Sequence, residues 1–222
     1  MNDGLFASSW RYIAGNGSEI LNAFAQHLVL VANGSLVAVS LGILLGIPLS
    51  RDEKLGRLVI GAAGVLSTIP IIALFGILIT FMGIGPRVVI VALVIYSILP
   101  VLRNTTTGLR QVGIAEREAA LGMGTNKLQL LLRVELPLAF PVIFAGVRTS
   151  IVMNFSIATY AIFIGGGGMG IIIMQGLRTY NDSKLFVGTF VVAVGTTLLD
   201  RFMSLVETAI ERRYGFGPLK RG

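Results

Sequence analysis

Five apolar stretches, each long enough to cross a bilayer, constrain this chain more than any other feature. A spanning helix needs roughly 20 mostly apolar residues to cover about 30 Å of hydrocarbon. The stretches run from about Leu21 to Leu49, Leu58 to Met82, Val88 to Leu102 (extending towards Thr107), Leu138 to Ile164, and Leu185 to Leu199. The last continues past Asp200 and Arg201 into an amphipathic turn. Charged residues make up 13% of the chain, about half the share of a soluble domain, which is too few to clothe a water-facing surface. The expected fold class is therefore all-α, a polytopic membrane bundle of five transmembrane helices.

Composition also excludes chemistry. There is no cysteine and a single histidine, His27, so thiol catalysis, a cysteine metal site, a histidine cage and a Ser-His-Asp triad are all disfavoured. No catalytic residue and no metal ligand is assigned. The spans hold no cluster of acids, which leaves a membrane enzyme little machinery. No cleavable signal sequence is expected, since the first twenty residues carry Asp3, Arg11 and Glu19 without a basic start and apolar run.

Charge placement orients the spans. Arg51, Lys54 and Arg57 lie between the first two. Arg103, Arg110, Arg117, Lys127 and Arg133 lie between the third and fourth, and Arg212, Arg213, Lys220 and Arg221 in the tail. Only Arg11, Arg87, Arg178 and Lys184 fall on the other side. The positive-inside rule then puts the N-terminus outside and the C-terminus in the cytoplasm. Residues 1–20 form an extracytoplasmic segment, 21–208 the membrane domain and 209–222 a cytoplasmic tail. There is no internal repeat, so a symmetric pathway needs a second copy or a paralogue.

Several residues inside the spans admit two readings. Pro70, in Ser67-Thr68-Ile69-Pro70, either simply kinks the second span or serves as a hinge. Gly42 with Gly46, and Gly61 with Gly64, read as helix-packing pairs. Ser150, Asn154 and Ala158 share one helix face, which either lines a pathway or supplies interhelical hydrogen bonds. Asn33 and Ser35 pose the same choice. The run Gly165 to Gly170 reads as a structural break or as part of a gate, with Gly165, Gly168 and Gly170 the gate candidates. The following Ile171 to Leu177 is too short to cross and is expected to fold back. His27 reads as an ordinary interfacial histidine, and Arg148 as snorkelling or paired with an acid the sequence does not identify.

The stretch from about Arg103 to Leu136 carries the most specific signal. Glu116 and Glu118 suit the start of a short helix. Gly122 and Gly124 end or bend it, and Thr125 or Asn126 can cap a second helix. Glu118-Ala119-Ala120, three residues, Gly124, nine residues, Val134, one residue, Leu136-Pro137 resembles the EAA signature of binding-protein-dependent ABC importer permeases, with valine for the usual isoleucine. Stretches such as Leu99-Pro100-Val101-Leu102-Arg103-Asn104-Thr105 and Val134-Glu135-Leu136-Pro137-Leu138-Ala139 resemble the glycine betaine/carnitine/choline (osmoprotectant) branch. Two departures are Gly165-Gly166-Gly167-Gly168-Met169-Gly170, where that branch often has Gly-Ala-Gly-Gly-Leu-Gly, and Asn154-Phe155, where smaller residues are expected.

The resemblance implies a MetI-like ABC permease fold in the plasma membrane of a prokaryote, with a cytoplasmic coupling helix around Glu118 to Gly124. It implies an ABC ATPase dimer, a second permease subunit and an extracytoplasmic solute-binding protein as partners, with no nucleic acid among them. No receptor is expected to be fused to this chain. No cofactor is expected here: ATP belongs to the ATPase, and no G-x-x-x-x-G-K-[ST] loop occurs in the sequence. A methionine-type or other amino-acid importer is the rival reading, and an ion channel or membrane sensor a more distant one. The lone tryptophan, Trp10, and scattered Phe75, Tyr96, Phe155 and Tyr160 spell no aromatic cage for a quaternary ammonium group.

Overall fold

The computed structural model describes residues 4–213, all helix and short connections. The end of the expected tail, from residue 214, lies outside the described residues. Helix α1 spans Leu5–Arg51, α2 Glu53–Thr68, α3 Ile71–Met82 and α4 Pro86–Gln111. Then come α5 (Ile114–Gly122), α6 (Lys127–Leu130), α7 (Leu136–Ile157), α8 (Gly170–Arg178) and α9 (Asp182–Arg213).

The first helix is longer than its apolar pattern suggests. Its 47 residues would reach about 70 Å, twice the hydrocarbon thickness. A break in helical geometry at Asn16 separates an N-terminal arm from the spanning part, and the Asn16 amide donates to the Tyr12 carbonyl at 3.0 Å. Residues 5–20, expected as a separate segment, are thus helical, with Phe6 and Trp10 exposed.

Pro70 does more than kink the second span. It ends α2 and caps α3, and the two axes differ by 100°. Proline lacks an N–H, so carbonyls upstream lose their partners. Ser67 and Thr68 hydroxyls donate to the Gly64 and Val65 carbonyls, both at 2.7 Å. The Tyr96 hydroxyl donates to the Ile69 carbonyl. The broken backbone is therefore satisfied where lipid could not do it.

Glycines set the helix pairings. A Cβ on Gly34 would come within 2.8 Å of Leu93, on Gly42 within 2.7 Å of Val101, and on Gly46 within 2.6 Å of Thr105. Both sequences ascend together, so α1 and α4 run parallel. The chain between them must recross the full thickness, which makes the bent α2–α3 pair a span. Gly108 against Ala139 and Gly146 against Asn104 make α7 antiparallel to α4. Phe155 against Gly195 turns α9 back again. Among the described residues, four helices qualify as spans alone, and the bent pair makes five. Gly61 and Gly64, expected to pack, have nothing within 4 Å and take no part in these contacts.

The main core lies between α1, α4 and the α7 end, around Leu30, Val31, Val89, Leu93 and Phe155. Exposed Leu36, Leu44, Val65, Phe81, Phe190 and Leu198 cover the outside, as expected for helices facing lipid.

Candidate functional site

The EAA-like segment folds as a helix, a glycine turn and a second helix. Helix α5 ends because Gly124 adopts φ +83°, a conformation that suits glycine. Gly124 N–H donates to Leu121 at 2.9 Å and Thr125 N–H to Ala120 at 3.3 Å, the paired bonds of a Schellman cap. The Thr125 hydroxyl adds a bond to the Ala120 carbonyl at 2.8 Å. Asn126 then caps α6 reciprocally with Gln129 at 2.9 and 3.0 Å.

Ala120 is buried, whereas Glu118 and Ala119 are exposed, and so are Ile114, Leu121 and Met123. The helix thus presents small and apolar groups to its surroundings while one alanine seats it on the bundle. Val134, Leu136 and Pro137 are half-buried at the junction of a π turn (Leu131–Glu135) with α7. Pro137 has no N–H to offer the Arg133 carbonyl, which is consistent with the widened turn there. The fourth apolar stretch therefore belongs to a helical rod that starts at Lys127 rather than near Leu138.

Between Val134 and Leu136 lies a residue that sequence reasoning passed over. Glu135 is fully buried. Arg51, at the end of α1, grips both carboxylate oxygens, with Nη1 at 2.9 Å from Oε1. Arg117 of α5 places Nε 3.2 Å from the same Oε1 and donates from Nη2 to the Leu109 carbonyl at 2.6 Å. One carboxylate thus ties α5 to the ends of α1 and α7, and Arg117 carries the tie to α4. Beside it, Arg110 donates to the Leu49 (2.8 Å), Ser50 (3.1 Å) and Asp52 (3.1 Å) carbonyls, capping α1 from α4. The available signal was a lone acid in an otherwise apolar and basic run.

The candidate pathway residues separate into buried and lining groups. Ser150 and Asn154 are fully buried, as is Ala158, and neither lines a described cavity. The Asn154 amide, oriented to satisfy both ends, donates to the Leu93 carbonyl at 3.1 Å and accepts from the Ser35 backbone N–H at 3.2 Å. It joins α7 to α4 and α1, whereas the buried Ser150 hydroxyl on the same face has no hydrogen-bond partner. Gly165, in a left-handed conformation at φ +68°, borders a cleft with Gln26, Pro86 and Gly167. Gly168 lies against the His27 ring, and Gly170 is packed against the Thr159 carbonyl. His27 is fully buried within the protein, and its Nε2 donates to the Phe155 carbonyl at 2.9 Å. Helix α8 folds back along α9, with Gly176 against Leu185.

Two clefts open along α7 at mid-span. One, of about 420 Å³, lies beside the α2–α3 break and is lined by Ser67, Tyr96, Arg103, Asn104 and Thr149. The other holds the acids that answer Arg148: Asp200 in a two-pronged pair at 2.8 and 2.9 Å, and Glu207 at 2.8 Å. Thr149 and Met153 line both. Helix α4 continues to Gln111, so Arg103, expected in a connecting segment, lies within the helix. Among the described residues, no three His, Cys, Asp or Glu side chains gather in a way that could hold a metal ion.

The family model described as "Binding-protein-dependent transport system inner membrane component" matches residues 38–212, a stretch that includes α2 to α8 and all but the last residue of α9. The chain belongs to this family. Among curated relatives of these inner-membrane components, the carnitine transport permease protein OpuCD of Listeria monocytogenes is 36% identical over 90% of each chain. The choline transport system permease protein OpuBD of Bacillus subtilis is 35% identical over 91% of each. The osmoprotectant import permease protein OsmW of Salmonella typhimurium is 36% identical over 90% of this chain and 95% of that one. The fold matches an inward-facing MetNI methionine ABC transporter with a TM-score of 0.77, at 20% identity over 86% of this chain and 95% of that one. As a member of the family, the chain is a multi-pass transport permease with the MetI-like fold.

Proposed function

We propose that this inner-membrane component forms the translocation pathway of an ATP-driven importer for small quaternary-ammonium osmoprotectants such as glycine betaine, carnitine and choline. The observation that carries the reading is the agreement of two levels. Relatives covering nine-tenths of the chain bear carnitine, choline and osmoprotectant names. The EAA-like spacing folds into an exposed helix, α5, whose base is tied to the bundle through Arg117 and Glu135.

In this reading α5 seats in a groove of a cytoplasmic ABC ATPase dimer, and closure of that dimer on ATP moves α5. The Glu135 clasp passes the displacement to α1 and α7, which rock as rigid bodies. Nucleotide is bound by the ATPase, and a separate extracytoplasmic receptor delivers the solute. A second permease copy or a paralogue completes the pathway. The α5 end faces the cytoplasm, with the N-terminus outside and the C-terminus inside, in keeping with the basic residues gathered there.

Competition for uptake by the assembled transporter tests the cargo. Unlabelled glycine betaine, carnitine or choline should suppress labelled uptake, and methionine should not. Suppression by methionine or another amino acid alone would favour the methionine-type alternative and overturn the osmoprotectant assignment.

A further inference from the structure

Arg103 is the least explained charge in the membrane domain. It sits eight residues before the end of α4, about 12 Å into the helix, and no ion pair or hydrogen bond engages it among the described residues. Four nearby arginines are occupied: Arg110 caps α1, Arg117 and Arg51 hold Glu135, and Arg148 holds Asp200 and Glu207; Arg201, which follows Asp200, acts on that carboxylate only at a distance. Arg103 is exposed on the subunit surface, and a guanidinium within a spanning helix is costly unless water or an anion answers it. Here it borders a cleft whose other polar lining groups are hydroxyls and an amide: Ser67, Tyr96, Asn104 and Thr149. Among the described residues, no carboxylate lines that cleft.

The adjoining cleft has the opposite balance. Arg148 carries one positive charge against two carboxylates, Asp200 and Glu207, and Arg201 offsets part of the remaining negative charge at Asp200. The Asp200 side chain is 40% exposed. The two clefts meet along Thr149 and Met153. Side by side they present an exposed cation, a neutral polar wall and two carboxylates, of which Asp200 is partly exposed.

We propose that this double cleft is a cargo-selecting site within the permease itself, taking a zwitterion whose carboxylate pairs with Arg103 and whose cationic end lies towards Asp200 and Glu207. The inference rests on the osmoprotectant reading and adds that the membrane subunit, and not only its receptor, discriminates cargo by the carboxylate. A guanidinium fork suits a carboxylate in two-pronged geometry. Choline, which has the cationic end and no carboxylate, gains nothing from Arg103.

The test is uptake by the complete transporter, with its ATPase and receptor, in vesicles. Glycine betaine and choline are measured separately, and each Arg103→Gln rate is divided by the wild-type rate for the same solute, which cancels receptor preference. Glycine betaine uptake should fall about tenfold or more, the range set by losing one charge-assisted pair, while choline falls less than about twofold. Arg103→Lys, which keeps the charge without the fork, should show the same bias at smaller size. It carries the test if the glutamine variant fails to assemble with the ATPase. Equal losses for both solutes, or no loss for either, overturn the proposal while leaving the osmoprotectant reading standing. A wild-type transporter that carries neither solute removes that reading, and this inference with it.

Discussion

Replacing Glu135 by Gln tests whether α5 is held to the bundle by a buried charge. The carboxylate has no solvent exposure, whereas the side chains of Arg51 and Arg117 are 46% and 29% exposed. Removing one member of a buried pair costs roughly 3–5 kcal/mol when the remaining charge is trapped. Arg51 can turn to water, and glutamine still accepts one hydrogen bond, so the lower end applies: about 3 kcal/mol. Arg117→Gln should cost less, about 1–2 kcal/mol, because Glu135 keeps its contact with Arg51. The double variant should fall short of the sum by about 1 kcal/mol or more, since the two groups share one interaction. Unfolding of the four proteins in mixed detergent micelles gives the cycle. A Glu135→Gln loss below about 0.5 kcal/mol, or strict additivity, would refute the clasp.

Other perturbations follow from the same geometry. Gly46→Leu puts a side chain where Thr105 already lies within 2.6 Å of a Cβ, and should separate α1 from α4 at a cost above about 3 kcal/mol, read as lost detergent stability. Gly61→Leu, facing open space, should be tolerated within about 0.5 kcal/mol in the isolated subunit. Asn154→Leu removes the bridge between α1, α4 and α7, with its contacts to the Ser35 and Ser97 hydroxyls, a loss of about 1–3 kcal/mol in the same assay. Gly124→Ala forces a side chain into the left-handed turn. It should cost about 1–2 kcal/mol locally and lower solute transported per ATP hydrolysed more than it lowers insertion.

Much of the architecture was legible because lipid imposes a simple rule, that apolar length equals span. The second span was legible down to its breaking point, since Pro70 follows two hydroxyl residues able to satisfy freed carbonyls. The end of α5 was legible to within two residues, as Gly122 or Gly124 followed by Thr125 or Asn126, because backbone conformation and capping depend on neighbours three or four residues away; the structure uses Gly124 and Asn126. Long-range pairing was not. Arg51 and Glu135 are 84 residues apart, and Arg148 meets Asp200 and Glu207 across 52 and 59. No periodicity records such partners. Small residues were ambiguous for the same reason: Gly42 and Gly61 look alike in sequence, yet only Gly42 meets another helix. On the polar face of α7, the inward direction of Asn154 to Ser35 and Leu93 depended on packing.

The most direct measurement compares solute accumulation in vesicles holding this subunit alone with vesicles that also hold its ATPase and receptor. The account predicts uphill uptake only in the second set, only with ATP, and abolished by a bulky replacement of Ala119 on the exposed face of α5. Concentrative uptake by the lone subunit, or full ATP-driven uptake after that replacement, would contradict it.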